Sequence, residues 1–149
     1  MVTDYLMLND LEKANEITEA IGRSIAAYAD FAASLDAAKR KGLDVGDLNR
    51  KANMLCYICL EYLQDGYVEL PKTYLPKIFD LLLTIDDIND ATRLLEIVIR
   101  PSLYEQNEDI LFAECDCISG VLDQFEQYGH KDIAKEYRRY LQNQGLPVK

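Results

Sequence analysis

PKTYLPKIFDLLLTIDDINDATRLLEIVIRP, residues 71–101, carries the features that decide the fold. Apolar residues recur three and four apart, at Leu75, Ile78, Phe79 and Leu82 and again at Ala91, Leu94, Leu95 and Val98. That is the period of a helix with one buried face, and no part of the stretch alternates as a half-buried strand would. Pro71 suits the N1 position of a helix running to about Thr84, with Pro76 in its first turn or two. Asp86 or Asp87 suits the N-cap of the next helix, and Pro101 ends it. The connection near residue 85 is short enough to make the pair an antiparallel hairpin.

The same signals extend outward in both directions. Asn107 opens a helix to Tyr128, Gly129 ends it, and another runs from Lys131 to Gln144, so residues 107–144 form a second hairpin. Upstream, Asp44 or Asp47 can cap a helix that reaches Gln64, and its centre is apolar on nearly every side, as expected of a central helix. The first helix is expected over residues 10–41, with Asn9 or Asp10 as cap and Lys39-Arg40-Lys41 before Gly42 at its end. Leu11, Ala14, Thr18, Ile21, Ile25, Tyr28, Ala32 and Leu35 draw one seam down it. At 1.5 Å per residue such a helix would be roughly 48 Å long, so it overhangs the rest or bends near Gly22. The expectation is a single all-α domain over residues 1–149, of about six helices whose antiparallel hairpins form a bundle or a short helical-repeat-like array.

Within the hairpins, Leu75, Ile78, Phe79, Leu82, Ala91, Leu95 and Val98, and then Ile118, Val121, Leu122, Phe125, Gly129, Ala134 and Leu141, follow the spacing of a tetratricopeptide-like helix pair in part. Ala91 and Ala134 are 43 residues apart, however, against about 34 in that family. Leu122 stands where a small residue is usual and Arg138 where an aromatic is. The chain is therefore assigned to no repeat family.

Charge has the first functional content. Sixteen Lys and Arg face 26 Asp and Glu, for a net of -10, which disfavours nucleic acid because phosphate neutralisation needs a basic footprint. The acidity is regional, with 15 acids and 4 bases over residues 52–130. Such a field keeps a small protein soluble, or steers it toward a basic partner. The longest apolar run, Met54 to Leu60, has seven residues, whereas a membrane span needs about 20. Met1-Val2-Thr3-Asp4-Tyr5 offers no basic leader, and the four cysteines lie in helical apolar context, so the expected compartment is the reducing cytoplasm.

Motifs that would carry chemistry are incomplete. Cys56 and Cys59 share a helical face, but Cys115 and Cys117 lie about 200° apart around a helix, so four thiolates cannot meet one zinc. Buried small hydrophobes are the expected role, with all four reduced and metal-free. Asp86-Asp87-Ile88-Asn89-Asp90 has the composition of a magnesium-diphosphate motif, but acids at a helix start are also the ordinary cap and dipole complement. Glu12, Glu16 and Glu19 match one half of the carboxylate helices of all-α nucleotide pyrophosphohydrolases, and Glu61 with Asp65 lacks the i+3 spacing for the other. His130 sits in an interhelical turn, and a lone His supports no nucleophilic relay. No cofactor and no catalytic residue are expected.

Ten tyrosines with no Trp suit half-buried positions and interfaces. On the helix from residue 107, Leu111, Cys115, Ile118, Leu122 and Phe125 form the core stripe. Asp109, Phe112, Asp116, Ser119, Asp123 and Glu126 follow another line, where four acids share a face with one large aromatic. Asp109, Phe112, Asp116, Asp123 and Glu126 are therefore the candidate partner-binding residues. The function expected is an acidic helical module that binds a protein with a basic surface, most concretely an inhibitor or immunity-type protein acting by occlusion. The alternatives are a helical-repeat adaptor holding a peptide, and, from another class, a small magnesium-dependent phosphohydrolase.

Overall fold

The three-and-four spacing is realised as helix throughout. A computed structural model describes residues 11–43 and 46–149. Among them the order is α1 (Leu11–Ala33), α2 (Ala37–Lys41), α3 (Gly46–Gln64), α4 (Glu69–Thr84), α5 (Ile88–Ile99), a 3₁₀ turn (Arg100–Leu103), α6 (Glu108–Gln127) and α7 (Lys131–Asn143), with no strand. The helices pack as an all-α bundle around one main core, and a small satellite cluster of Ala14, Ile58 and Tyr62 joins α1 to α3.

The first helix is shorter than its seam implies. It ends at Ala33, and residues 37–41 form a helix of their own, so the chain turns at Ser34-Leu35-Asp36 rather than bending at Gly22. Asp36 is the reason on one side, because its carboxylate accepts from Lys39 N at 2.9 Å and caps a new helix in competition with the old one. Arg40 is the reason on the other. Its Nε and Nη2 donate to Ala32 O and Ala33 O at 2.9 and 3.0 Å, satisfying carbonyls that α1 leaves open. Gly22 serves packing instead, since a Cβ there would lie 2.4 Å from the Tyr74 ring of α4. The proposed caps Asn9, Asp10 and Asp44 lie outside the described residues. Asp47 does not cap α3 but lies in its first turn, paired with Arg50.

Two further boundaries shift slightly. α4 starts at Glu69, so Pro71 is its third residue, still among the first-turn positions whose N–H has no helical partner. α3 is buried along most of its length, yet Met54 and Tyr57 are about half exposed, so it keeps a solvent face and shares the centre with α4. The expected caps of the later helices hold: Asp87 accepts from Asp90 N, and Asn107 from Asp109 N and Ile110 N.

The hairpins α4–α5 and α6–α7 share six core positions at a constant offset. Leu75, Ile78, Phe79, Leu82, Ala91 and Val98 each have a buried counterpart 43 residues later, in Ile118, Val121, Leu122, Phe125, Ala134 and Leu141. Their first helices stack, with Phe79 and Phe125 ring centroids 6.1 Å apart and Gln124 Nε2 donating to Pro76 O and Asp80 Oδ1. Leu95 breaks the pattern, because its counterpart is Arg138 on the less covered second hairpin.

Candidate functional site

The five candidate residues all lie on α6, but the structure divides them. Asp109, Phe112 and Asp116 occupy the first half of the helix and are exposed, Phe112 by 51%. No described cation pairs with either carboxylate. Asp123 and Glu126 occupy the second half and both bind the Arg138 guanidinium of α7. Arg138 also donates through Nε to Lys149 O at 3.0 Å, and Lys149 N donates to Ser119 Oγ at 3.1 Å. The lower half of the acidic line thus holds α7 and the C-terminal segment, while the upper half leaves an aromatic ring between two unpaired carboxylates.

Several residues of the chemistry-bearing motifs have partners within the fold. Burial pushes the Cys56 thiol up to about 12 and those of Cys115 and Cys117 up to about 11, and it raises Cys59 as well. These thiols stay protonated near neutral pH, where a nucleophile or metal ligand must be a thiolate. Cys115 lies beside Ser102 and Glu114, whereas Cys117 lies toward Lys72 and Cys59. Residues 115 and 117 therefore point apart, as the helical angle requires. Among the described residues no three His, Cys, Asp or Glu side chains gather as a metal site would need. Glu16 pairs with Lys13, Glu19 with Arg23 and Asp90 with Arg93. His130 stands at the start of α7 with its ring against Phe125.

Two features were not visible in the sequence. Glu114 is 2% exposed, with one oxygen 3.4 Å from Ser102 Oγ and the other without a partner. Burial, with Glu105 nearby adding to it, raises its carboxyl to about 7. The second is a pair of depressions, about 400 and 270 Å³, with Arg100 in the lining of both. Tyr57 of α3 and Tyr104 after the 3₁₀ turn line the larger together with Glu61, and Tyr137 and Tyr140 of α7 line the smaller together with Glu96. The abundance of tyrosine was the only sequence signal for them, and positions 57, 104 and 140 share no helical register from which a common face could be read. No helix among the described residues is long and apolar enough to cross a membrane. In comparisons with known proteins, no family model, no curated protein and no solved structure matches this chain.

Proposed function

We propose that this chain is an acidic protein-binding module that covers a basic surface on another protein, most concretely as an inhibitor or immunity-type partner acting by occlusion. The observation that carries the reading is Phe112, half exposed on α6 between the unpaired carboxylates of Asp109 and Asp116. A face that only solubilises gains nothing from a large exposed ring, whereas an aromatic anchor flanked by charge is how interfaces combine slow dissociation with fast steering. The regional excess of acids supports the same direction of charge. Four cysteines free of disulfides support a reducing compartment, the cytoplasm, for the encounter.

The test compares partner capture by wild type, by Asp109→Lys with Asp116→Lys, and by Phe112→Ala. Charge reversal is expected to slow association and flatten its salt dependence, and loss of the ring to speed dissociation. A captured partner whose rates are unchanged in both folded variants would remove this face of α6 from the interface. Asp123 is a poor choice for reversal because it would break the Arg138 pair as well. The six core positions that the two hairpins share favour a second reading, a helical-array adaptor that holds a peptide.

A further inference from the structure

Among the described Asp, Glu, Lys and Arg residues only Glu114 is buried. An ionised carboxylate can accept about four hydrogen bonds. Here Oε1 has no partner, and Oε2 has only the Ser102 hydroxyl, 3.4 Å away. What closes over it is short. Ser102, itself buried, and Leu103, partly buried against the core, belong to the 3₁₀ turn Arg100–Leu103. That turn packs on α5, from which it continues, and on α6, whereas α6 is itself held by α3, α4, α5 and α7. The turn is therefore the side that can yield. The charges around Glu114 push the same way. Glu105, just beyond the turn, raises its carboxyl, and on α6 itself Glu114 and Asp116 raise the thiols of Cys115 and Cys117. Lys72 of α4 acts on Cys117 and Arg93 of α5 on Cys56. Among the described residues no cation of α3, α4, α5, α7 or the turn pairs with Glu114.

From this enclosure we infer that Glu114 is a proton-operated latch on the 3₁₀ turn. Protonated, the carboxyl is neutral and the turn lies closed over it. Ionised, it leaves a buried charge with one weak donor, and water relieves that cost once the turn and residues 104–106 lift from α6. Lifting also carries Glu105 away from Glu114, so one movement relieves both desolvation and repulsion. Short segments open at free energies well below that of the whole fold. The consequences reach the surface. Pro101 and Tyr104 line the larger depression and Leu103 the smaller, so opening remodels both. It also uncovers the Cys115 thiol, which is buried beside Ser102. What changes with pH is then the surface the chain presents, and not its stability alone.

Two probes on the full chain report the opening. One is hydrogen exchange at the Tyr104 amide, which donates to Pro101 O at 3.1 Å across the turn. The other is iodoacetamide alkylation of Cys115, resolved by mass spectrometry. Each rate is divided by its value in an unstructured peptide, which removes the intrinsic effect of pH. With the carboxyl at about 7 when closed and 4.5 in water, the opening equilibrium should rise about 30-fold from pH 5.5 to pH 8. Glu114→Gln should hold it constant over that range. Glu105→Gln should give a smaller rise than the wild type, because one source of repulsion is gone. Urea separates the latch from unfolding. A short segment exposes little surface, so below the transition both probes should be insensitive to urea, while exchange of the Leu55 amide of α3 accelerates. No rise in the wild type, or an equal rise in Glu114→Gln, would overturn the latch. A rise with the urea dependence of Leu55 would overturn it too, and would assign the pH effect to global unfolding. The wild-type rise and its urea dependence decide the matter without any substitution.

Discussion

Glu114 is a carboxyl enclosed by the core with a single weak hydroxyl partner, and its proton is held more tightly in the folded chain than in the unfolded one. Because its folded value rises from 4.5 to about 7, the folded state binds more protons across that interval. The stability it contributes is complete below about pH 4.5 and declines as pH rises to about 7. Glu114→Gln keeps the shape without the charge, so it should remove this decline and raise stability at pH 8 by about 1–3 kcal/mol, because an amide avoids the cost of the buried, incompletely bonded charge that Glu114 carries there. Urea midpoints of the two proteins at pH 5 and pH 8 check it, and parallel curves would refute it. Asp86 holds φ at 60°, where the matching turns after α3, α6 and α7 place Gly66, Gly129 and Gly145. In all four turns the next N–H reaches back to a helix carbonyl, as Asp87 N does to Leu82 O at 2.9 Å. Asp86→Gly should therefore stabilise by about 0.5–1 kcal/mol, the left-handed cost removed less the entropy glycine adds. A urea midpoint that moves up with an unchanged slope is the expected reading.

Among the elements, α3 shows how far periodicity reaches. Its run from Met54 to Leu60 is apolar at every position, yet Leu55, Cys56, Ile58, Cys59 and Leu60 are buried while Met54 and Tyr57 are not. Leu55 lies in the main core and Ile58 in the satellite cluster against α1. Leu55→Ala should cost about 2–5 kcal/mol and Ile58→Ala an amount near the lower end, where fewer neighbours surround the cavity. Urea melts order the two, and an Ile58→Ala loss as large as that of Leu55→Ala would show the clusters to be equally tight. The satellite cluster also explains Thr18 on an otherwise apolar seam. Thr18 Oγ1 donates to Ala14 O at 2.8 Å, 3.3 Å from the Tyr62 hydroxyl, which in turn donates to Asn15 Oδ1. The seam of α1 was legible because side-chain spacing is local. Its end at Ala33 was not, since Leu35 continues the spacing and only the Asp36 cap and the returning Arg40 turn the chain.

For the whole molecule, charge and architecture meet in the distribution of ion pairs. The pairs of Glu16, Glu19, Asp47 and Asp90 are local and lie at the surface, Asp90 half-buried, the kind that contributes little, while the net of -10 repels itself over the surface. Raising NaCl from about 20 mM to about 300 mM shortens the screening length from roughly 20 Å to roughly 6 Å. The thermal midpoint should rise by about 2–4 °C, which is about 1 kcal/mol for a chain of this length; a fall would mean that attractive pairs outweigh repulsion. Of the candidate site, the sequence showed that Asp109, Phe112, Asp116, Asp123 and Glu126 follow one line of α6. It could not show that Arg138, 15 residues beyond Asp123, takes the last two for itself. By itself the sequence determined the helical class, most of the buried stripes, the start of a helix near Asp86 or Asp87 and another at Asn107, and the two hairpins, because each rests on interactions within a few residues along the chain. Only the tertiary structure decided which acids are free, that Tyr137 of α7 binds the Glu96 carboxylate of α5, and that Tyr57 and Tyr104 line one depression while Tyr137 and Tyr140 line another. Those outcomes depend on which helices become neighbours, and a repeating apolar stripe specifies that a helix packs without specifying what polar group its neighbour will bring.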